Sequence, residues 1–176
     1  MIDTLISSKT RVKLLLKFFL NSANKAYLRN LEAEFGESTN AIRLELNRFE
    51  KAGMLKSSSE GNKKVFSANT SHPLFGDIRS IVLKYVGIDQ IVEYVIKHLG
   101  EVEQVFVVGD YARGLDAGII DLVMVGRINQ SFLLELVAKV EQKIERRIRY
   151  IIFEPETFDI EKIRSKQAEP LLLWSR

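Results

Sequence analysis

Asp110, Asp116 and Asp121 lie close together in the stretch Val105 to Gly126, VFVVGDYARGLDAGIIDLVMVG. An apolar run, Val105 to Val108, stops at Gly109-Asp110 and continues through Tyr111-Ala112-Arg113-Gly114. After a short loop a second apolar run carries Asp121 between Ile120 and Leu122. This pattern predicts two buried strands joined by a tight, charged turn. A carboxylate in such a strand costs of order several kcal/mol unless it is paired, metal-bound or left at the solvent end. Carboxylate oxygens are also what a hard divalent cation requires, and a cation spanning phosphates stabilises the charge of a transfer reaction. Asp121 is therefore the candidate site residue.

The stretch resembles the signature of the minimal nucleotidyltransferase fold, a Gly-Ser turn, an Ala-Arg-Gly-like segment and then an Asp-x-Asp strand. The resemblance covers about Asp89 to Phe153. It implies a small α/β unit in which the turn and its serine hold a triphosphate. Paired aspartates, usually with a third carboxylate on a later strand, then hold two magnesium ions. Gly109, Ala112, Arg113 and Gly114 match, but Asp110 stands at the serine position, where its charge opposes phosphate. Matching by strand register puts Ile119 at the first aspartate position and Asp121 at the second. Counting from the glycine turn makes Asp121 the first and Val123 the second. Either way one carboxylate remains, and the strand Ile148 to Phe153 offers Arg149 and Tyr150 where a third is expected. The resemblance thus implies a domain without catalysis. Gly109, Asp110, Arg113, Gly114 and Asp121 form a vestigial nucleotide-binding set, and Asp121 is the catalytic and metal-binding residue only if transfer persists. Asp121 then reads as a capped or solvent-edge aspartate; the sharper alternative is that Asp110, Asp116 and Asp121 converge on one weak cation site. No cofactor is expected, magnesium and a nucleoside triphosphate belonging only to an active domain.

A second group of residues is suited to nucleic acid. Ser8 or Thr10 caps a helix through Leu20 with Val12, Leu15, Leu16 and Phe19 on one stripe. A second helix, about Tyr27 to Phe35, ends at Gly36. A third, capped by Ser38 or Thr39, carries Ile42, Leu46 and Phe49 up to Gly53. Short extended segments, Met54 to Ser58 and Lys64 to Ser67, flank Glu60-Gly61-Asn62, which has the positive-φ residue types of a hairpin tip. Three helices and a hairpin, with Phe49-Glu50-Lys51-Ala52-Gly53-Met54-Leu55 leading into the hairpin, resemble winged helix-turn-helix transcription regulators over about Lys9 to Asn69. Thr39, Asn40, Arg43 and Asn47 face away from the core stripe, and arginine and asparagine can read guanine and adenine edges. Lys56, Lys63 and Lys64 are placed to meet phosphates. Glu37 and Glu45 flank the face and oppose them.

These elements set the organisation. The fold class is α+β: a winged helix over 1–72, a linker helix over 73–88 with Phe75, Ile78, Val82 and Tyr85 as its stripe, and a nucleotidyltransferase-like domain over 89–176. In the last, a helix from Asp89 carries Ile91, Val92, Val95, Ile96 and Leu99 and closes at Gly100. A second helix runs from about Ser131 to Arg146, a polar helical segment from Phe158 to Ser165, and Pro170 to Trp174 is an apolar packing segment. The linker stripe either packs between the domains or pairs with the same helix of a second chain.

Composition agrees with a globular protein of the cytoplasm. The chain has no cysteine, so disulfides and thiolate metal sites are excluded, and His72 and His98 lack ligand-like spacing. Lys13 and Lys17 break the apolar N-terminal patch, which is neither a signal peptide nor a membrane span. The formal net charge is +3. Residues 1–72 hold 12 Lys+Arg against 7 Asp+Glu, and residues 73–176 hold 14 against 16, so the positive charge lies in the first part. The expected partner is double-stranded DNA, bound by a homodimer, with a protein or nucleotide ligand at the C-terminal domain and no membrane. The function read from the sequence is transcriptional regulation. The alternatives are an active, antitoxin-like nucleotidyltransferase acting on a protein or small molecule, and a non-catalytic nucleotide-sensing or docking module.

Overall fold

Ser8 ends its own strand-like backbone by accepting the Arg11 N–H at 3.2 Å, and this cap starts the first helix. In the computed structural model, which describes residues 6–99 and 101–176, that helix is α1, Lys9–Leu15, continued by a wider turn over Leu16–Leu20. Leu14, Phe18 and Leu20 are buried along with the expected Val12, Leu15, Leu16 and Phe19, so the helix is enclosed on more than one side. The chain divides into two compact units at Val82/Leu83. The division falls inside the helix expected as a linker.

In the first unit, α1 is followed by β1 (Lys25–Tyr27), α2 (Leu28–Phe35), α3 (Thr39–Lys51), β2 (Leu55–Glu60) and β3 (Lys63–Ala68). The strand β1 is not anticipated by the sequence reading, which assigns Tyr27 to the helix. Three residues carry no readable alternation, and their pairing with Val65 to Ser67 supplies what local propensity does not. The sheet is antiparallel in the order β1-β3-β2. Ser38 caps α3 by accepting from Ala41 N–H at 3.3 Å, and Ile42, Leu46 and Phe49 are buried beneath it. The hairpin closes through the two residues Gly61 and Asn62. Only Gly61 takes a positive φ, +59°, so a single left-handed residue suffices. The helix α4 (Phe75–Val86) buries Val82 and Val86.

The second unit continues through α5 (Ile88–Gln90), a wide turn over Ile91–Val95 and a tight one over Ile96–His98. The expected single helix from Asp89 is thus broken into three short pieces. Its expected closing residue, Gly100, and the side chains of Val95 and Ile96 lie outside the described residues. There follow β4 (Val102–Val108), α6 (Gly109–Ala112), β5 (Ile119–Gly126), α7 (Gln130–Ile144), β6 (Arg147–Phe153) and β7 (Leu171–Ser175). The sheet order is β6-β5-β4-β7. Only β5 and β6 are parallel, and α7 provides the crossover that parallel neighbours need. Asn129 caps α7, which buries Leu133, Leu136, Val137, Val140 and Ile144. It ends at Ile144, because Glu145 turns left-handed at φ 55°, and Arg146 is released from the helix to which the sequence assigned it. The polar segment after β6 forms two short turns, Pro155–Thr157 and Ile160–Lys162, and no longer helix. They bring Phe158 and Ile163 onto Phe106, Val123 and Val125 of the sheet. No helix among the described residues is long and apolar enough to cross a membrane.

Candidate functional site

Parallel register fixes the charged end of the second sheet. Asp121 stands opposite Val108 on β4 and Arg149 on β6. Arg149 donates Nε–H to Asp121 Oδ1 at 2.7 Å and Nη2–H to Oδ2 at 2.9 Å, a two-bond pair that uses both carboxylate oxygens. Those hydrogen bonds raise the Arg149 pKa further, with the Asp121 charge adding to them. Gly109 belongs to the same end. Its φ of +65° suits glycine, and a Cβ there would come within 2.8 Å of Asp121 Oδ2, so the turn can approach the carboxylate only without a side chain.

The other two aspartates are committed elsewhere. Asp110 Oδ1 accepts from Arg113 Nη1 at 3.1 Å. Asp116 is held by Arg146 through Nη2 to Oδ2 at 2.6 Å and Nε to Oδ1 at 3.1 Å, and it accepts the phenolic hydrogen of Tyr111. Arg146 Nε also donates to the Tyr111 oxygen at 2.8 Å, and its guanidinium lies 5.5 Å from the centre of the Tyr85 ring. Tyr111 is fully buried; its burial, then the Asp116 hydrogen bond, push its pKa well up. Burial alone would raise Asp116, but the hydrogen bonds from Arg146 and Tyr111 outweigh it and hold the carboxyl below its usual range.

Convergence of Asp110, Asp116 and Asp121 on one cation is accordingly corrected. Each carboxylate has its own arginine, and among the described residues no group of three or more acidic or imidazole side chains could hold a metal. The donor set does not fit the two magnesium ions that the sequence resemblance implies, since Asp121 is a single carboxylate with both oxygens engaged. Of the two alignments of the strand, that by register suits the geometry. Ile119 is 37% exposed at the open end, whereas Val123 is 2% exposed and packs with Phe106 and Val125, where a carboxylate would sit in the core.

The first unit presents a groove of about 530 Å³ between α2, α3 and the hairpin. Arg29, Asn30, Arg43, Asn47, Lys63 and Lys64 line it, with Asn62 of the hairpin tip beside them. The sequence singles out Arg43, Asn47, Lys63 and Lys64 for DNA contact; Arg29 and Asn30 escape it because α2 shows there only its apolar face, and Asn62 enters it only as a turn residue. Thr39 and Asn40 do not line the groove, although Arg43 Nη1 donates to Asn40 Oδ1 at 3.4 Å. Lys56 pairs along the hairpin with Ser67, away from the tip, and is not part of the lining either.

The charges along this unit are not equivalent. Lys64 donates to Glu50 Oε2 at 2.7 Å, which lowers the Glu50 pKa, whereas Lys63 lies over the Tyr27 ring at 5.5 Å. Glu37 and Glu45, expected to repel phosphate, are themselves neutralised. Glu45 is buried and bound by Arg11 at 2.9 Å and Arg48 at 2.9 Å, and Glu37 accepts from Lys13 at 2.6 Å. Both carboxyls lie below their usual pKa range despite burial that opposes it.

No protein-family model and no curated protein matches the sequence. Solved structures are similar over part of the chain. The Archaeoglobus fulgidus protein AF1382 is 19% identical over 47% of this chain and 93% of its own, with a TM-score of 0.38. A mutant of the toxin–antitoxin pair MntA–HpeT is 13% identical over 51% of this chain and 72% of that one, with a TM-score of 0.39. A protein assigned as a nucleotidyltransferase from Sulfolobus solfataricus is 26% identical over 56% of this chain and 86% of its own, with a TM-score of 0.34.

Proposed function

We propose that the protein is a DNA-binding regulator, a winged helix whose α3 and hairpin engage the duplex, joined to a nucleotidyltransferase-like unit that does not transfer nucleotides. The observation that carries the reading is the groove on the first unit, where Arg29, Arg43 and Lys63 stand beside Asn30 and Asn47. Its length of helix and its hairpin suit a duplex, its cations suit phosphates, and arginine with asparagine suits base edges. The pairing of Asp121 with Arg149 supports the absence of transfer, because both oxygens of the carboxylate on β5 are engaged.

The test is binding to duplex DNA from upstream of the protein's own gene, against scrambled duplex, across a salt titration. Preference for the first, with a slope of about 0.9 per phosphate contact, is the expected result. Weak binding that ignores sequence would leave the first unit as an interaction module. The active, antitoxin-like reading is tested by labelled nucleoside triphosphates with magnesium and candidate acceptors. Label transfer that disappears in Asp121→Ala would establish it in place of the non-catalytic one.

A further inference from the structure

The helix α4 carries two apolar stripes, and among the described residues only one of them is fully buried. Val82 and Val86 are buried, while Leu74 at its cap and Ile81 are each 54% exposed, with the half-buried Ile78 between them. Leu74, Ile78 and Ile81 are spaced by four and then three residues, the spacing of a coiled-coil seam. Ile78 and Ile81 also form one wall of an apolar groove of about 420 Å³, lined further by Ile6, Leu15, Phe49 and Met54, into which a facing side chain can insert.

We propose that this stripe binds the same stripe of a second copy of the chain, with the two helices antiparallel. Charge selects the occupant and the direction. Asp77 in the first turn and Lys84 in the last turn are both exposed and flank the seam on the same side. In an antiparallel pair centred between Ile78 and Ile81, Ile78 meets the partner's Ile81, and Asp77 lies beside the partner's Lys84. The two-fold axis makes that contact twice. A parallel pair would set Asp77 beside the partner's Val82 and leave both charges without an opposite. Only a self-pairing, antiparallel arrangement satisfies the apolar stripe and the charges together.

Light scattering and sedimentation of the full chain test the proposal. The parent is expected at twice its 20.2 kDa mass. Asp77→Lys alone and Lys84→Asp alone each create two like-charge contacts, and each should raise the dimer dissociation constant about tenfold. The double variant exchanges the signs and should return it to near the parent value. Ile81→Asp should give a monomer, and circular dichroism of the two charge variants, both at exposed positions, keeps misfolding separate from dissociation. A parent that is monomeric at every soluble concentration would overturn the proposal and leave the stripe to a different protein. So would a double variant no better than the singles, which would exclude the Asp77 to Lys84 contact.

Discussion

Arg149 grips both oxygens of Asp121 from the adjacent parallel strand, at 2.7 and 2.9 Å. A guanidinium that belongs to the chain thereby takes up both oxygens through which this carboxylate could meet a divalent cation. The charge of Asp121 is balanced from within.

Melting of the protein should accordingly be indifferent to divalent cations. Added magnesium or manganese, or removal of metal by EDTA, is expected to leave Tm unchanged, because a ligand that does not bind the folded state cannot shift unfolding. Differential scanning fluorimetry reads this directly, and a dose-dependent rise with manganese that vanishes in Asp121→Asn would contradict the closed-site geometry.

The cluster of Tyr111, Asp116 and Arg146 should act as one unit. Asp116→Asn or Arg146→Ala leaves a partly buried charge without its partner and should cost about 2 kcal/mol, below the full figure for a buried pair because both groups keep some solvent contact. The double variant should cost much less than the two singles summed, since the second change removes the group that the first left unpaired. Strict additivity in urea melts would mean that the three side chains are independent.

Acid should destabilise the fold in a defined direction. The carboxyls of Asp116, Glu37 and Glu45 titrate below their ordinary values in the folded state. The unfolded chain therefore takes up protons first. The stabilisation is complete above the ordinary carboxylate range of about 4 and is lost as the pH falls through the lower folded-state values. Thermal melts from neutral pH downwards should show a plateau and then a decline, and stability that rises on acidification through that range would contradict the assignment.

The groove makes unequal predictions for two neighbouring lysines. Lys63→Ala should weaken binding to every duplex and reduce the salt slope by about 0.9, the value of one lost phosphate contact. Lys64→Ala should do less, because Glu50 already holds that ammonium, and Glu50→Gln should strengthen binding by releasing it. Arg43→Ala should instead relax sequence preference, by about 1–3 kcal/mol at one position. Equal effects of the two lysine variants in anisotropy titrations would show that the Glu50 contact does not persist on DNA.

Much of this arrangement is legible before folding, and the rest is missing for physical reasons. The apolar periods of α1, α3 and α7 and the runs of β4 and β5 mark themselves, because burial imposes a pattern on the chain. Arg149 can be noticed as the wrong residue type for a ligand, but its grip on Asp121 depends on the register between β5 and β6, which no local pattern encodes. Arg146 is read as helical because nothing nearby announces the end of α7; the left-handed turn falls on Glu145, where glycine would have been the signal. The strand β1 carries too few residues to declare itself, and the stretch of β7, legible only as the apolar packing segment Pro170 to Trp174, becomes a strand through its pairing with β4.

The strand β7 also sets an order on assembly. It pairs with β4, although α6, β5, α7 and β6 all intervene along the chain. On the ribosome, the first unit has all of its own strands in hand once Ala68 has emerged, so its sheet can close early. The second sheet must wait for Leu171–Ser175, and until they emerge one edge of β4 presents unpaired backbone groups to its surroundings. Newly made second units are for that interval the part of the protein most exposed to mispairing and to capture by chaperones.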